Sequence, residues 1–565
     1  MSYRPSTGQA DRAKGFKKLR DGDEARKRRG DSVLNTRKDR RNEQLEKRRK
    51  EWDACAPGQS TEEEMRDETS GAEPPPSTLS ISAARIPLEG DGTTFQIVQW
   101  IKTIASPESG ADVKLAATKS LRKLLSKRKD PPINEIIEAG AVPWVVLQLQ
   151  DDSNPKVQVE SAWVITNITS GSSEQTRMIL EHGAAQVLVG IMAKLELSEE
   201  LREQCVWAIS NIAGDCAEFR DFLISMGTVE ALISQFSVSP STSMIRQATW
   251  AISNFCKSSP LLITQAVVPS LAHLINHEEE DVFHDACWAL SHLTDGMGKE
   301  QIEAVATSPG VCSRLVHLIA CKKHKVVLAA LRTLGNIVTG TAEQTDAVIH
   351  AGVLTAVNQL LMSPQKRAIK KEACWLVSNI AAGEVHQIQA LVKADIIPTI
   401  VWLLGDGEYE VKREACWVLT NAAQHATSQQ LQYIVGLGVI QPLCQMLDSR
   451  DAKIVTIALD GVRHILQAGV EAGGSLRSTF AEEVEEARGL EKIEMLQNHN
   501  DRKIYEKAVE IIETYFGCEE DEEDMDAMLA PKVTQRADDD TAPAAYAFTP
   551  VAAPMEGFQF MPTHT

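Results

Sequence analysis

The chain has 565 residues, a formal net charge of −19 and only 5% aromatic residues. It contains no apolar run of 18 residues and no signal peptide, which excludes a membrane-spanning helix and predicts a soluble, non-secreted protein. Its 11 cysteines show no metal-ligand spacing and read as small packing residues in a reducing compartment, so no metal or other cofactor is expected.

The first predicted segment, residues 1–60, is a basic arm. Between Arg12 and Lys50 stand 17 Lys or Arg against seven Asp or Glu. The bases cluster as Lys17 and Lys18; Arg26, Lys27, Arg28 and Arg29; Arg37, Lys38, Arg40 and Arg41; and Lys47, Arg48, Arg49 and Lys50. Such a run fits a nucleic-acid-binding tail. A membrane-surface helix fits less well, because no strong apolar face accompanies the charge. A third reading is a segment that fills an acidic groove. Residues 61–92 are acidic and rich in Ser and Pro, the composition of a flexible linker.

From residue 93 to 517 the chain repeats. A short helix recurs as ESAWVITNI (160–168), QCVWAISNI (204–212), QATWAISNF (247–255), DACWALSHL (285–293), AALRTLGNI (329–337), EACWLVSNI (372–380) and EACWVLTNA (414–422). The Trp position falls at 163, 207, 250, 288, 332 (Arg), 375 and 417, a period of 38–44 residues. That period marks an armadillo or HEAT solenoid. A second helix also recurs, as in AGAVPWVVLQL (139–149) and AGVLTAVNQLL (351–361), with Gly or Pro punctuating its start. A first copy ends in the 117–125 helix with Lys119 in the Trp position; a ninth has Asp460 and His464 in the Trp and Asn positions. Atypical copies are expected at the ends of an array. A tenth helical pair spans 478–517. The acidic run 519–526 and an Ala/Pro/Thr-rich stretch form the tail, 518–565.

At about 100° per residue the repeated helix has two faces. The residues two before, two after and five after the Trp are small or apolar in every copy and make the packed stripe. The Trp, the Asn four later, and the acid or amide three before (Glu160, Gln204, Gln247, Asp285, Glu372, Glu414) lie opposite. The Trp is therefore expected to point away from the core. The plainer alternative is that each Trp packs against the next repeat. Indole faces can hold the stems and charges of Lys or Arg, Asn can bond an extended backbone, and the acids can pair with cationic heads. The expected ligand is an extended basic peptide. Two runs, Trp163 to Trp250 with Trp288 as a partial fourth, and Trp375 with Trp417, are separated where Arg332 places a cation on the ladder. Two binding sites are expected, the longer one first. His292 in an Asn position reads as a groove residue.

No phosphate loop, nucleophile elbow or metal motif is present, so the chain is not expected to be an enzyme. A general armadillo scaffold for adhesion or transcription partners, and a nucleic-acid binder working through the arm, stay open at this level.

The Trp-x-x-x-Asn ladder, its Arg interruption, the basic arm and the ending KIYEKAVEIIETYFGCEEDEED together resemble the importin-α (karyopherin-α) family. The resemblance implies an all-α, right-handed superhelical solenoid of about ten armadillo repeats. It also implies a nuclear import adaptor that shuttles between cytoplasm and nucleus. The arm is similar to the importin-β-binding domain, which otherwise occupies the groove. Carried over by motif, the major site for nuclear localisation signals would use Trp163, Asn167, Gly171, Thr176, Gln204, Trp207, Asn211, Asp215, Trp250, Asn254 and Trp288, with Asp215 receiving the deepest Lys. The minor site would use Arg332, Asn336, Val338, Thr339, Thr345, Glu372, Trp375, Asn379, Glu414, Trp417 and Asn421. The implied partners are importin-β, cargo with Lys/Arg-rich signals, and the recycling exportin with Ran-GTP; nucleoporins are admitted as well. Direct nucleic-acid binding and membrane insertion are not implied.

Overall fold

Eight of the ten repeats share one local stop signal, a residue with positive φ at the head of the second helix. Gly140, Gly183, Gly227, Gly310, Gly352 and Gly438 all have φ between 74° and 87°, and Asp395 (φ 52°) and Arg488 (φ 59°) take the same place. Glycine adopts that conformation without a Cβ clash, so it turns the chain between two helices at little cost.

A computed structural model describes residues 92–516 except 128–129, 238, 258–260, 296–297 and 474–478. The basic arm, the linker and the acidic tail lie outside the described residues, and so do all the arm positions named above. Among the described residues every regular element is helical. The compact unit ends at Tyr515.

The sequence led to pairs of helices; the structure adds a short leading helix to most repeats. The copy containing Trp163, for example, runs Ile133–Glu138, Ala141–Gln150 and Pro155–Ile168. In the copy containing Trp288 the first two are one helix, Leu261–Leu274, with Pro269 inside. The last helices of the ten repeats are α1 (Ala111–Leu125), α2 (Pro155–Ile168), α3 (Glu199–Ala213), α4 (Thr242–Phe255), α5 (Glu280–Thr294), α6 (His324–Ile337), α7 (Arg367–Ala381), α8 (Tyr409–His425), α9 (Ala452–Gly473) and α10 (Arg502–Tyr515). Each packs on the next from α1 through α10, which makes an all-α armadillo solenoid.

The expected packed stripe is the core. Ser161, Cys205, Ala248, Ala286, Ala330, Ala373 and Ala415 are fully buried, as are Ile165, Ile209, Ile252, Leu290, Leu334 and Val377. Small side chains two residues before the Trp position let neighbouring helices approach, and the branched ones fill the space between them. Leading helices start in capping boxes: Ser172 with Gln175, Thr341 with Gln344, Glu384 with Gln387, and Thr427 with Gln430. The same Gln amides also reach back one repeat. Gln344 Nε2 donates to Lys299 O (3.2 Å), Gln387 Nε2 to Ala342 O (3.0 Å) and Gln430 Nε2 to Val385 O (3.2 Å). Among the described residues no single helix is long and apolar enough to cross a membrane.

Candidate functional site

The ladder stands on consecutive helices, but its indoles are far less open than expected. Trp163, Trp207, Trp250 and Trp375 are only 8%, 3%, 5% and 5% exposed; Trp288 and Trp417 are half-buried. The expectation that the Trp points away from the core is corrected here. It leaves its own repeat's stripe, yet the indole is nearly buried in four of the six copies. Trp375 shows how: a Cβ built on Gly335, on the preceding ladder helix, would collide with its six-membered ring. The residue three after each Trp position is small in every copy (Thr166, Ser210, Ser253, Ser291, Gly335, Ser378, Thr420). This row of small residues is the signal in the sequence for inter-repeat packing.

The Asn positions are buried too, with Asn167, Asn211, Asn254, Asn336, Asn379 and Asn421 each 4% exposed or less. Their amides stitch the repeats together. Asn211 Nδ2 donates to Thr166 O (3.1 Å), Asn254 to Ser210 O (3.0 Å), Asn336 to Ser291 O (3.1 Å), Asn379 to Gly335 O (3.3 Å) and Asn421 to Ser378 O (2.9 Å). In each case the acceptor belongs to that same small residue of the preceding helix. Asn167 instead donates to Ser126 Oγ (3.2 Å). The Asn one turn after the Trp therefore serves packing between repeats, because a buried side-chain amide needs a hydrogen-bond partner.

Charges meet the ladder at its ends and its break. Arg122 stacks on Trp163, with Cζ 4.3 Å from the ring centroid, and its Nε donates to Glu160 Oε2 at 2.6 Å. Arg332 lies 5.6 Å from the Trp288 ring and pairs with Glu372 Oε1 at 3.2 Å. At the far end Lys507 of α10 pairs with Asp460 of α9. Around Trp288 two imidazoles close in: the indole N–H donates to His284 Nε2 (3.0 Å), and the His292 ring centroid is 6.0 Å away. Because His284 Nε2 accepts, its Nδ1 carries the proton and donates to Asp285 Oδ1 (3.1 Å).

The loop residues of the major set divide. Asp215 is partly exposed and accepts from Ser173 Oγ at 2.8 Å. Thr176 is fully buried, with its hydroxyl on Ser172 O (3.1 Å). Gly171 is required by the adjacent capping box, since a Cβ there would collide with Gln175 Oε1. Gln204 is fully buried and donates to Thr166 Oγ1 (2.7 Å), and its carbonyl oxygen has no hydrogen-bond partner among the described residues. In the minor set, Val338 and Thr345 are fully buried, Thr339 is half-buried, and Glu372 and Glu414 are each 6% exposed. Sequence reasoning missed Arg122, which reaches Trp163 from one repeat away. Burial pushes the Cys287 and Cys444 thiols up to about 12, in keeping with packing roles.

A run of Trp and Asn on stacked helices, with cations already bound to indole and carboxylate, defines an armadillo-repeat binding protein. The armadillo/β-catenin-like repeat model matches eight times: 129–170, 172–214, 216–257, 259–295, 298–339, 341–382, 385–424 and 427–467. An atypical Arm repeat matches 478–532, and the importin-β-binding domain matches 12–86. The chain is 40% identical to importin subunit alpha-3 of Arabidopsis thaliana over 540 residues, covering 94% of this chain and 97% of that one. It is 39% identical to importin subunit alpha-4 of the same plant, covering 99% and 100%. Among solved structures an engineered protein superposes with a TM-score of 0.67 at 25% identity, covering 75% of this chain and 99% of that one. The chain belongs to the importin-α family. It is a nuclear import adaptor that links to importin-β, not an enzyme.

Proposed function

We propose that the ladder face binds the basic clusters of nuclear localisation signals at two places, and that the N-terminal arm competes for the same face. What carries this reading is that the chain's own arginines already occupy the chemistry a signal would use. Arg332 combines an indole face (Trp288) with the acid three before the next Trp position (Glu372), and Arg122 combines Trp163 with Glu160 in the same way. An indole with a nearly buried carboxylate is a guanidinium or ammonium site. A ligand would meet the exposed remainder of the indoles, the partly exposed Asp215 and the nearly buried acids Glu372 and Glu414.

The longer site is assigned to Trp163, Trp207 and Trp250 with Asp215, and the shorter to Trp375 and Trp417 with Glu372 and Glu414. The His284, His292 and Arg332 contacts leave Trp288 a weaker member of the longer run. The family match over 12–86 supports importin-β as the partner that withdraws the arm, and cargo then binds. Loss of importin-β in the nucleus returns the arm and ejects cargo, so the chain shuttles. The recycling exportin with Ran-GTP is assigned to the tenth repeat and acidic tail, and nucleoporins are a further partner class.

Fluorescence anisotropy of a labelled single-cluster Lys-rich peptide tests the longer site. Asp215→Lys is expected to nearly abolish binding, and an unchanged affinity sinks the assignment.

A further inference from the structure

The first ladder helix carries the reverse of the charge that a basic ligand needs. On α1 the Trp and Asn positions are Lys119 and Lys123, and Arg122 lies between them in sequence. Lys114 precedes them and Lys127 follows, against the single acid Asp112 in the helix. Lys123 and Lys127 are exposed and Lys119 is half-buried. Arg122 is turned onto Trp163 and Glu160, with side-chain exposures of 13% for the arginine and 15% for the glutamate. The acid three before Trp163 is thus already neutralised by the protein, and the Trp163 ring already holds a guanidinium.

A ligand cation arriving there would find no uncompensated carboxylate and would face like charges, which disfavours it. We propose that the first repeat is an electrostatic stop for the ligand: Arg122 fills the cation position over Trp163, and the exposed Lys123 and Lys127 present positive charge beyond it. A basic cluster therefore ends at Trp163, and the ligand residue that follows is best acidic. Arg122 and Lys123 become specificity-determining residues that fix where a cluster begins on the ladder. The inference rests on the basic-peptide reading of the ladder.

The test uses the full chain and three labelled peptides: a Lys/Arg cluster flanked by Gly and Ala, and the same cluster extended by one Lys or by one Glu at each end in turn. At one end of the peptide, Glu is expected to bind about threefold more tightly than Lys in the native chain, the scale of an exposed ion pair. In Lys123→Glu/Lys127→Glu, whose substitutions lie at exposed positions, the preference is expected to reverse at that same end; equal thermal melting of the two chains confirms an intact fold. If the unextended peptide fails to bind the native chain, the basic-peptide reading falls and the stop falls with it. If that peptide binds but neither end distinguishes Glu from Lys, or the charge-reversed chain keeps the native preference, the stop alone is overturned.

Discussion

The Asn one turn after five of the six ladder Trp holds two helices together before it can serve any ligand. Asn254 Nδ2 donates to both Ser210 O and Ser210 Oγ, while its Oδ1 accepts from Lys257 Nζ (3.1 Å). Asn254→Ala should cost about 1–3 kcal/mol of stability, because it leaves buried polar groups unpaired. A lower urea midpoint checks this; an unchanged midpoint with lost peptide binding would assign the Asn to the ligand alone. Gly335 is a sharper case. An added Cβ meets the Trp375 ring, so Gly335→Ala should overpack the contact by about 1–3 kcal/mol and displace that indole. Peptides with two basic clusters should then lose more affinity than those with one. Equal losses would separate Trp375 from the shorter site.

At the scale of an element, α9 closes the ladder with groups that respond to pH. His464 stands in the Asn position, and burial followed by the neighbouring Arg463 charge lowers its pKa to about 4 from 6.5. Arg463 Nη2 lies 2.9 Å from His464 Nε2. The sign follows from proton counting: between pH 4 and 6.5 the unfolded chain binds the proton and the folded chain does not, so stability is complete above about 6.5 and falls as pH drops toward 4. The loss at pH 5 should be about 2 kcal/mol. His464→Gln should flatten this slope in urea melts at pH 7.5 and 5.0, and an unchanged slope would exclude His464 as its source. In α5, four repeats earlier, the imidazole differs in kind, since His284 there is tied to both Trp288 and Asp285.

For the whole molecule, the charge is divided between a basic arm and an acidic remainder. An arm tethered by a linker of some 30 residues, 61–92, competes at high effective concentration. A chain starting near residue 75 should therefore bind a single-cluster peptide more tightly than the full chain. Equal affinities in anisotropy titrations would keep the receptor and remove the internal competitor. Binding by either chain should weaken with salt, though less than for fully exposed pairs, because Glu372 and Glu414 are nearly buried.

The repeat period, the packed stripe, the break at Arg332 and the atypical ends were all legible in the chain, because a helix's own faces are set by spacing along it. The stripe residues Ser161, Ile165 and their counterparts are buried where spacing put them. Spacing could not say what lies across from the opposite face. That face meets a helix about 40 residues away, and whether an indole there is open or covered depends on how closely the repeats dock. Only the tertiary structure decided that Trp207 is 3% exposed, that Asn379 bonds Gly335 O, and that Arg122 covers Trp163. Small residues at the contact let the helices approach until backbone carbonyls come within reach of the Asn amides. The ladder is therefore not a row of open rings: four of its six indoles and the acids Glu372 and Glu414 are nearly buried.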